Sequence, residues 1–206
     1  MPRPSKGSTG LAASDFDKLL ADIRACRVCA ADMPHEPRPV VQASPTAKIL
    51  IVGQAPGTRV HASGRPFTDP SGDRLRDWMG VDEAVFYDAA KIAIVPMGFC
   101  FPGLDETGSD LPPRKECAPL WQRKIAGELK NVRLTLLVGL HSQRFHLGSQ
   151  MRKTMTETVR EAAEFGPDYL PLPHPSWRNS AWLRKNPWFE AKILPLLRCR
   201  IIDLLH

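Results

Sequence analysis

Four short apolar runs constrain the fold of this chain more than any other feature. Residues 48–52, 92–95, 134–138 and 169–173 are dominated by Ile, Val and Leu, and each is too short to be a helix. The first of them, "KILIV", is apolar from Ile49 to Val52 and stops at Gly53. A run without polar alternation is a strand buried on both faces, which is the habit of parallel sheets. Each run is separated from the next by a stretch that can hold a helix, so the pattern reads βαβαβαβ. A leading helix precedes it: Ser14 and Asp17 form a capping-box start, and Phe16, Leu19, Leu20 and Ile23 follow at helical spacing toward Cys26. A proline-dotted loop, residues 32–47, crosses to the first strand. Further helices are predicted over 72–79, 119–129, 142–147, 155–164 and 187–205. The sequence contains no internal repeat and no low-complexity block.

With 206 residues and a 43% hydrophobic fraction, the chain can bury one good core, so a single domain over 14–206 is expected behind a loose polar tail, 1–13. No apolar run reaches the length of a membrane span, and the first residues lack an apolar signal core. A cytoplasmic monomer with no membrane contact is the expectation. The net charge of +6 favours a polyanionic partner.

In a parallel sheet the loops beyond the carboxyl ends of the strands form the ligand crevice. The chemically suggestive residues of this sequence lie in those loops. The turn "GQAPG", Gly53 to Gly57, is small enough to cradle a phosphate or simply to turn the chain. It matches neither G-x-G-x-x-G nor G-x-x-x-x-G-K-[ST], which removes the main support for a nucleotide cofactor. Phe67, framed by Gly64, Pro66 and Pro70, is either a core aromatic or a stacking face for a planar ring. His174, directly after the fourth run, is poorly placed for a buried structural role and well placed to donate to a developing oxyanion. The loop behind it carries Ser176, Trp177, Arg178 and Asn179, and then Arg184 and Lys185, a set suited to phosphates and to insertion into a duplex. His61, His141 and His146 default to solvated or packing roles.

Of the five cysteines, Cys26 and Cys29 form a C-x-x-C pair, and Cys100 and Cys117 a wider one. Four thiolates suit zinc or a [4Fe–4S] cluster, and free thiols are the third reading. Cys199, in an apolar helix, reads as a small core hydrophobe.

Taken in order, "CRVC", "VGQAPG", "GRPFTDPSGDRL", "MGFCFPG" with "PPRKECAPLW", "LTLLVGL" and "PHPS" resemble the uracil-DNA glycosylase superfamily, most closely the iron–sulfur family 4 enzymes and their relatives. The resemblance runs from about residue 19 to 197. It implies a three-layer α/β/α fold with a four-stranded parallel sheet, a [4Fe–4S] cluster on Cys26, Cys29, Cys100 and Cys117, and a pocket for a uracil extruded from single- or double-stranded DNA. It further implies that Gly53, Gln54, Ala55, Pro56 and Gly57 lie beside sugar and base, that Phe67 stacks on the base, and that His174 faces the uracil oxygen.

The sequence departs from the family in its acids and in its base reader. Family 4 members carry glutamate where Gln54 stands, and the best-known branch carries aspartate where Ala55 stands. Gln54 can orient a water but cannot accept its proton. Asp69 and His61 are the nearby candidates for holding that water. Pro96 stands where the family reads uracil with asparagine, so the backbone at Met97 and Gly98 is expected to substitute. The basic histidine-bearing insert by which one branch cross-links to DNA is not visible. The expected function is a DNA-repair glycosylase acting on uracil or a related deaminated base. The alternative is a nucleic-acid binding module that kept the fold but lost catalysis.

Overall fold

The computed structural model describes residues 14–205. The predicted loose segment 1–13 lies outside them. Four strands form one all-parallel sheet: β1 (Ile49–Val52), β2 (Ile92–Ile94), β3 (Leu134–Val138) and β4 (Tyr169–Leu172), in the order β2-β1-β3-β4. Every strand residue but Tyr169 is buried, as the unbroken apolar runs require.

The period of two along a strand sorts these residues into two cores. Ile49 and Ile51 join Ile92, Ile94, Leu134, Leu136 and Val138 on one face, beneath α3 (Pro70–Met79), α4 (Glu83–Phe86), α7 (Met155–Arg160) and the carboxyl-terminal α9 (Leu194–Leu205). Leu50 and Val52 join Ala93, Val95 and Leu137 on the other, beneath α1 (Asp15–Arg24), α5 (Cys117–Glu128) and α6 (Leu140–Leu147). The fold is the expected three-layer α/β/α arrangement. The capping box at Ser14 and Asp17 is present and opens α1.

Several boundaries differ from the sequence reading, each for a local reason. Residues 54–67, expected to be loop throughout, contain the short helix α2 (Thr58–Ser63), closed by Gly64 in the left-handed conformation. The helix expected over 155–164 ends at Arg160 and continues as a tighter turn, Ala162–Phe165. That expected over 187–205 begins with a wide turn, Phe189–Ile193, before α9. The short helix α8 (Ser180–Lys185) was not anticipated. Cys199 is exposed rather than core, with Sγ 3.8 Å from Asp203 Oδ2. The buried stripe of α9 is Leu194, Leu197 and Ile201, and Cys199 falls between its steps.

The chain leaves β1 toward β2 and leaves β3 toward β4, in opposite directions across the sheet. The crevice that this reversal opens lies outside the carboxyl ends of the strands. Among the described residues, no helix is long and apolar enough to cross a membrane.

Candidate active site

A cavity of about 300 Å³ opens over the carboxyl ends of β1, β2 and β4. This is within the range of pockets that enclose a small planar ligand. Gly53 to Gly57 supply one wall, Pro66, Phe67, Asp69 and Ser71 a second, and His174, Ser176, Arg178 and Asn179 a third. Phe67 and His174 follow β1 and β4, which are not neighbours, because β3 stands between them. The loops close that distance, and both side chains line the one cavity.

Phe67 is the one non-glycine residue among those described with positive φ, 53°. Such a conformation persists only where its surroundings impose it. Here the Tyr87 hydroxyl lies 3.0 Å from the Phe67 carbonyl oxygen and 2.9 Å from that of Pro66. Gly72, in the first turn of α3, passes so close that a Cβ there would sit 1.8 Å from the same oxygen. The ring meets Phe86 edge to face at 6.1 Å. Phe67 is therefore held on the cavity wall, half-buried, with one side of its ring packed against the core.

His174 is oriented through its backbone neighbours. The Ser176 amide donates to His174 Nδ1 at 3.2 Å, and the Asn179 side chain donates to the His174 carbonyl at 2.7 Å. Because Nδ1 accepts, the neutral ring carries its hydrogen on Nε2. Burial holds the imidazole below its ordinary pKa, against the opposing charge of Asp69, so the neutral form prevails at neutral pH. Gly139, at the end of β3, has φ of 89°, a conformation L side chains rarely adopt, and packs beside His174. Arg74, on α3, donates to the carbonyls of Pro175 and Ser176 at 3.2 and 3.1 Å and so ties the Phe67 wall to the His174 wall.

Asp69 lines the cavity as the cap of α3, its Oδ1 accepting from the amides of Ser71 and Gly72 at 2.9 and 3.2 Å. Met97 and Gly98 are not part of this cavity. Their amides donate to the carbonyls of Gly53 and Gln54 at 3.0 and 2.9 Å, so they brace the first turn and those two amides are already committed. His61 is placed elsewhere, 4.3 Å from the His35 ring beside Phe101. Pro96 lines the cavity, while its carbonyl accepts from buried Gln122 at 2.7 Å.

The residue that sequence reasoning missed is Asp110. It lines the same cavity, with Oδ2 3.4 Å from where a Gly57 Cβ would be. Burial of its carboxyl raises the pKa above the usual carboxylate value; Arg178 opposes this and Asp69 adds to it. Asp110 is far in sequence from both wall motifs. The available signal was a Gly, Asp and Ser-rich stretch, 103–110, directly beyond β2 and hence at the ligand edge of the sheet.

Of the expected duplex contacts, Trp177 is 72% exposed next to the cavity-lining Arg178, whose guanidinium lies 5.6 Å from its ring, and Arg184 and Lys185 are exposed at the end of α8. Trp182, on α8, is turned inward, donating to Thr156 at 2.8 Å and meeting Trp188 and Phe189.

A second, small cavity is lined by Cys26, Cys29, Cys100 and Cys117 together with Val28, Met33, Phe99, Arg114 and Trp121. Among the described residues, no three His, Cys, Asp or Glu side chains already converge on a point that would hold a single metal ion. Burial pushes the Cys117 thiol up to about 12 and the Cys100 thiol up to about 11, with neighbouring cysteines adding to both. The Phe99 amide donates to Cys117 Sγ at 3.4 Å. Arg114 Nε and Trp121 Nε1 are buried donors without a protein partner, and both residues line this cavity.

A four-stranded parallel sheet in this order thus sets Phe67 and His174 in the walls of one cavity at its carboxyl edge. The model of the uracil DNA glycosylase superfamily matches residues 40–198. The chain belongs to this superfamily. The match takes in the whole sheet and every residue of the larger cavity, together with Cys100 and Cys117. Cys26 and Cys29 precede it.

Proposed function

We propose that this superfamily member is a DNA glycosylase that hydrolyses the N-glycosidic bond of uracil, or of a related deaminated base, extruded from DNA. The observation that carries this reading is the hydrogen bond from the Ser176 amide to His174 Nδ1, which leaves a neutral Nε2–H available in a cavity walled by the Phe67 ring. Cleavage of the glycosidic bond leaves negative charge on the departing base. A neutral donor already oriented toward the cavity stabilises that charge without reorganising. The Phe67 face offsets part of the unstacking cost of extrusion, since base–aromatic stacking is worth about 1–3 kcal/mol. Trp177 and the exposed cations of its segment suit the gap and the phosphates around an extruded nucleotide.

The four cysteines are proposed to hold a [4Fe–4S] cluster. The donor set fits an anionic thiolate-ligated group: two unpartnered buried donors, Arg114 Nε and Trp121 Nε1, belong to residues that line the cysteine cavity, and an amide already bonds one sulfur. Bound there, it would supply a cross-link between the segment after α1 and the start of α5. Zinc is the other outcome of the iron assay described below.

The absence of a carboxylate in the first turn favours a second reading, binding without cleavage. Incubation with a uracil-containing single-stranded oligonucleotide followed by alkali separates the two. Strand cleavage is expected; retarded but intact DNA would replace the enzyme by the binding module.

A further inference from the structure

A glycosylase of this kind needs a proton acceptor for the attacking water, and the first turn offers none. Gln54 has no basic oxygen at neutral pH, and Asp69 spends one oxygen on two amides at the start of α3. We propose that Asp110 is the general base, a role that rests on the glycosylase reading above. Its carboxylate stands against the Gly57 end of the first turn, in the cavity that His174 and Phe67 share.

The loop that bears it is built to hold it there. Asp105 Oδ1 accepts from the amides of Thr107 and Ser109 at 2.9 and 2.8 Å and from the Thr107 hydroxyl at 2.7 Å. Leu104 and Asp110 pair as an antiparallel bridge, and the Leu111 amide donates to Gly103 at 3.0 Å. The side chain thus projects from a pinned closure and not from a free strand end. A carboxylate positioned this way needs little reorganisation to receive a proton.

Two charged residues act on the Asp110 carboxylate. Arg178, from the turn after β4, stabilises its ionised form, and Asp69, at the start of α3, opposes it. Partial burial of the carboxyl, in a residue that is otherwise exposed, outweighs Arg178 and makes Asp110 a better proton acceptor than an ordinary aspartate. The residue is exposed at the mouth of the cavity, and DNA seated over that mouth would complete its burial.

The step balances as a hydrolysis. The bond from C1′ of the sugar to the base nitrogen breaks and its electron pair leaves with the base, whose anion is received by His174 Nε2–H. The water oxygen bonds to C1′. One water proton passes to the Asp110 carboxylate and the other remains on the new hydroxyl. Asp110 later loses its proton to solvent. No oxidant, reductant or further reactant enters.

Single-turnover excision from a uracil-containing single strand tests the assignment, with wild type, Asp110→Ala, Asp110→Asn and Asp69→Asn compared. General-base removal is expected to lower the rate about 10²–10⁴-fold in both Asp110 variants, with DNA affinity unchanged or raised. Asp69→Asn keeps the helix cap, because asparagine caps as well as aspartate, and tests the competing acid of the cavity wall: its rate is expected to fall less than that of either Asp110 variant. Added formate should restore part of the rate to Asp110→Ala and none to Asp69→Asn, a rescue that a structural role does not produce. Excision by Asp110→Asn within threefold of wild type, or loss confined to Asp69→Asn, overturns the assignment while leaving the glycosylase standing. A wild type that binds the strand and releases no base overturns both.

Discussion

Phe67 shows how a single residue can carry a conflict between backbone and function. Its positive φ costs an L-residue about 1–2 kcal/mol. The bonds to Tyr87 and the close pass of Gly72 keep it there. Phe67→Gly and Phe67→Ala both remove the ring, but only glycine relieves the backbone. Denaturant unfolding is therefore expected to find Phe67→Gly more stable than Phe67→Ala by about 1 kcal/mol. In kcat/KM for uracil excision both should fall about ten- to a hundredfold, the equivalent of the lost stacking. Equal stabilities would show that Phe67 stores no strain. Phe67 and His174 were legible in the sequence because an aromatic and a histidine at strand tips are chemically conspicuous. Asp110 was not, because an acid in an acidic, glycine-bearing loop resembles any solvated turn and only the folded chain brings it to Gly57. Cys199 was misread because its apolar sequence neighbours conceal which side of α9 they occupy.

At the scale of elements, the strands were legible because burial on both faces leaves an unbroken apolar signature. The short helices α2 and α8 were not, since six residues carry too little periodicity to separate helix from loop. The junction of α3 with the Phe67 turn is where local structure and site meet. Gly72→Ala places a methyl against the Phe67 carbonyl and is expected to cost at least about 1–3 kcal/mol, with excision falling alongside stability. Thermal unfolding with excision measured on the same preparations checks this, and an Ala variant as stable and active as wild type would contradict the close approach. On α6, His146 has a buried Nε2 without a partner, and burial lowers its pKa to about 4. In the unfolded chain a histidine titrates near 6.5, so as pH falls the unfolded state takes up the proton first. The stability due to this residue is complete above about pH 6.5 and is lost toward pH 4, at no more than about 1.4 kcal/mol per pH unit. Urea unfolding of wild type and His146→Phe at pH 7 and pH 4.5 should show a smaller acid loss in the variant; parallel losses would place the titration elsewhere.

At the scale of the whole molecule, sheet and charge were readable from sequence, while the division of the apolar residues into two cores and the meeting of loops from non-neighbouring strands over one cavity were not. The net charge of +6 includes Arg178, beside Trp177, and Arg184 and Lys185 on α8, all exposed in the segment that follows β4. Replacing all three cations with alanine is expected to weaken binding to every DNA sequence and flatten the dependence of affinity on salt. An unchanged slope would move the DNA contact to another face. Anaerobic purification is expected to yield brown protein with iron, bleached in Cys100→Ser and unaltered in Cys199→Ser, with stability lowered where the metal is lost. Colourless folded protein without iron would leave zinc or free thiols. The central claim, that an oriented neutral histidine receives the charge of a departing base, is tested most directly by measuring free uracil released in a single turnover by wild type and His174→Ala. Wild type should release one uracil per abasic site formed, and His174→Ala should be slower by about 10²–10³-fold, as loss of one oxyanion donor requires. Release by His174→Ala at close to the wild-type rate would contradict the account.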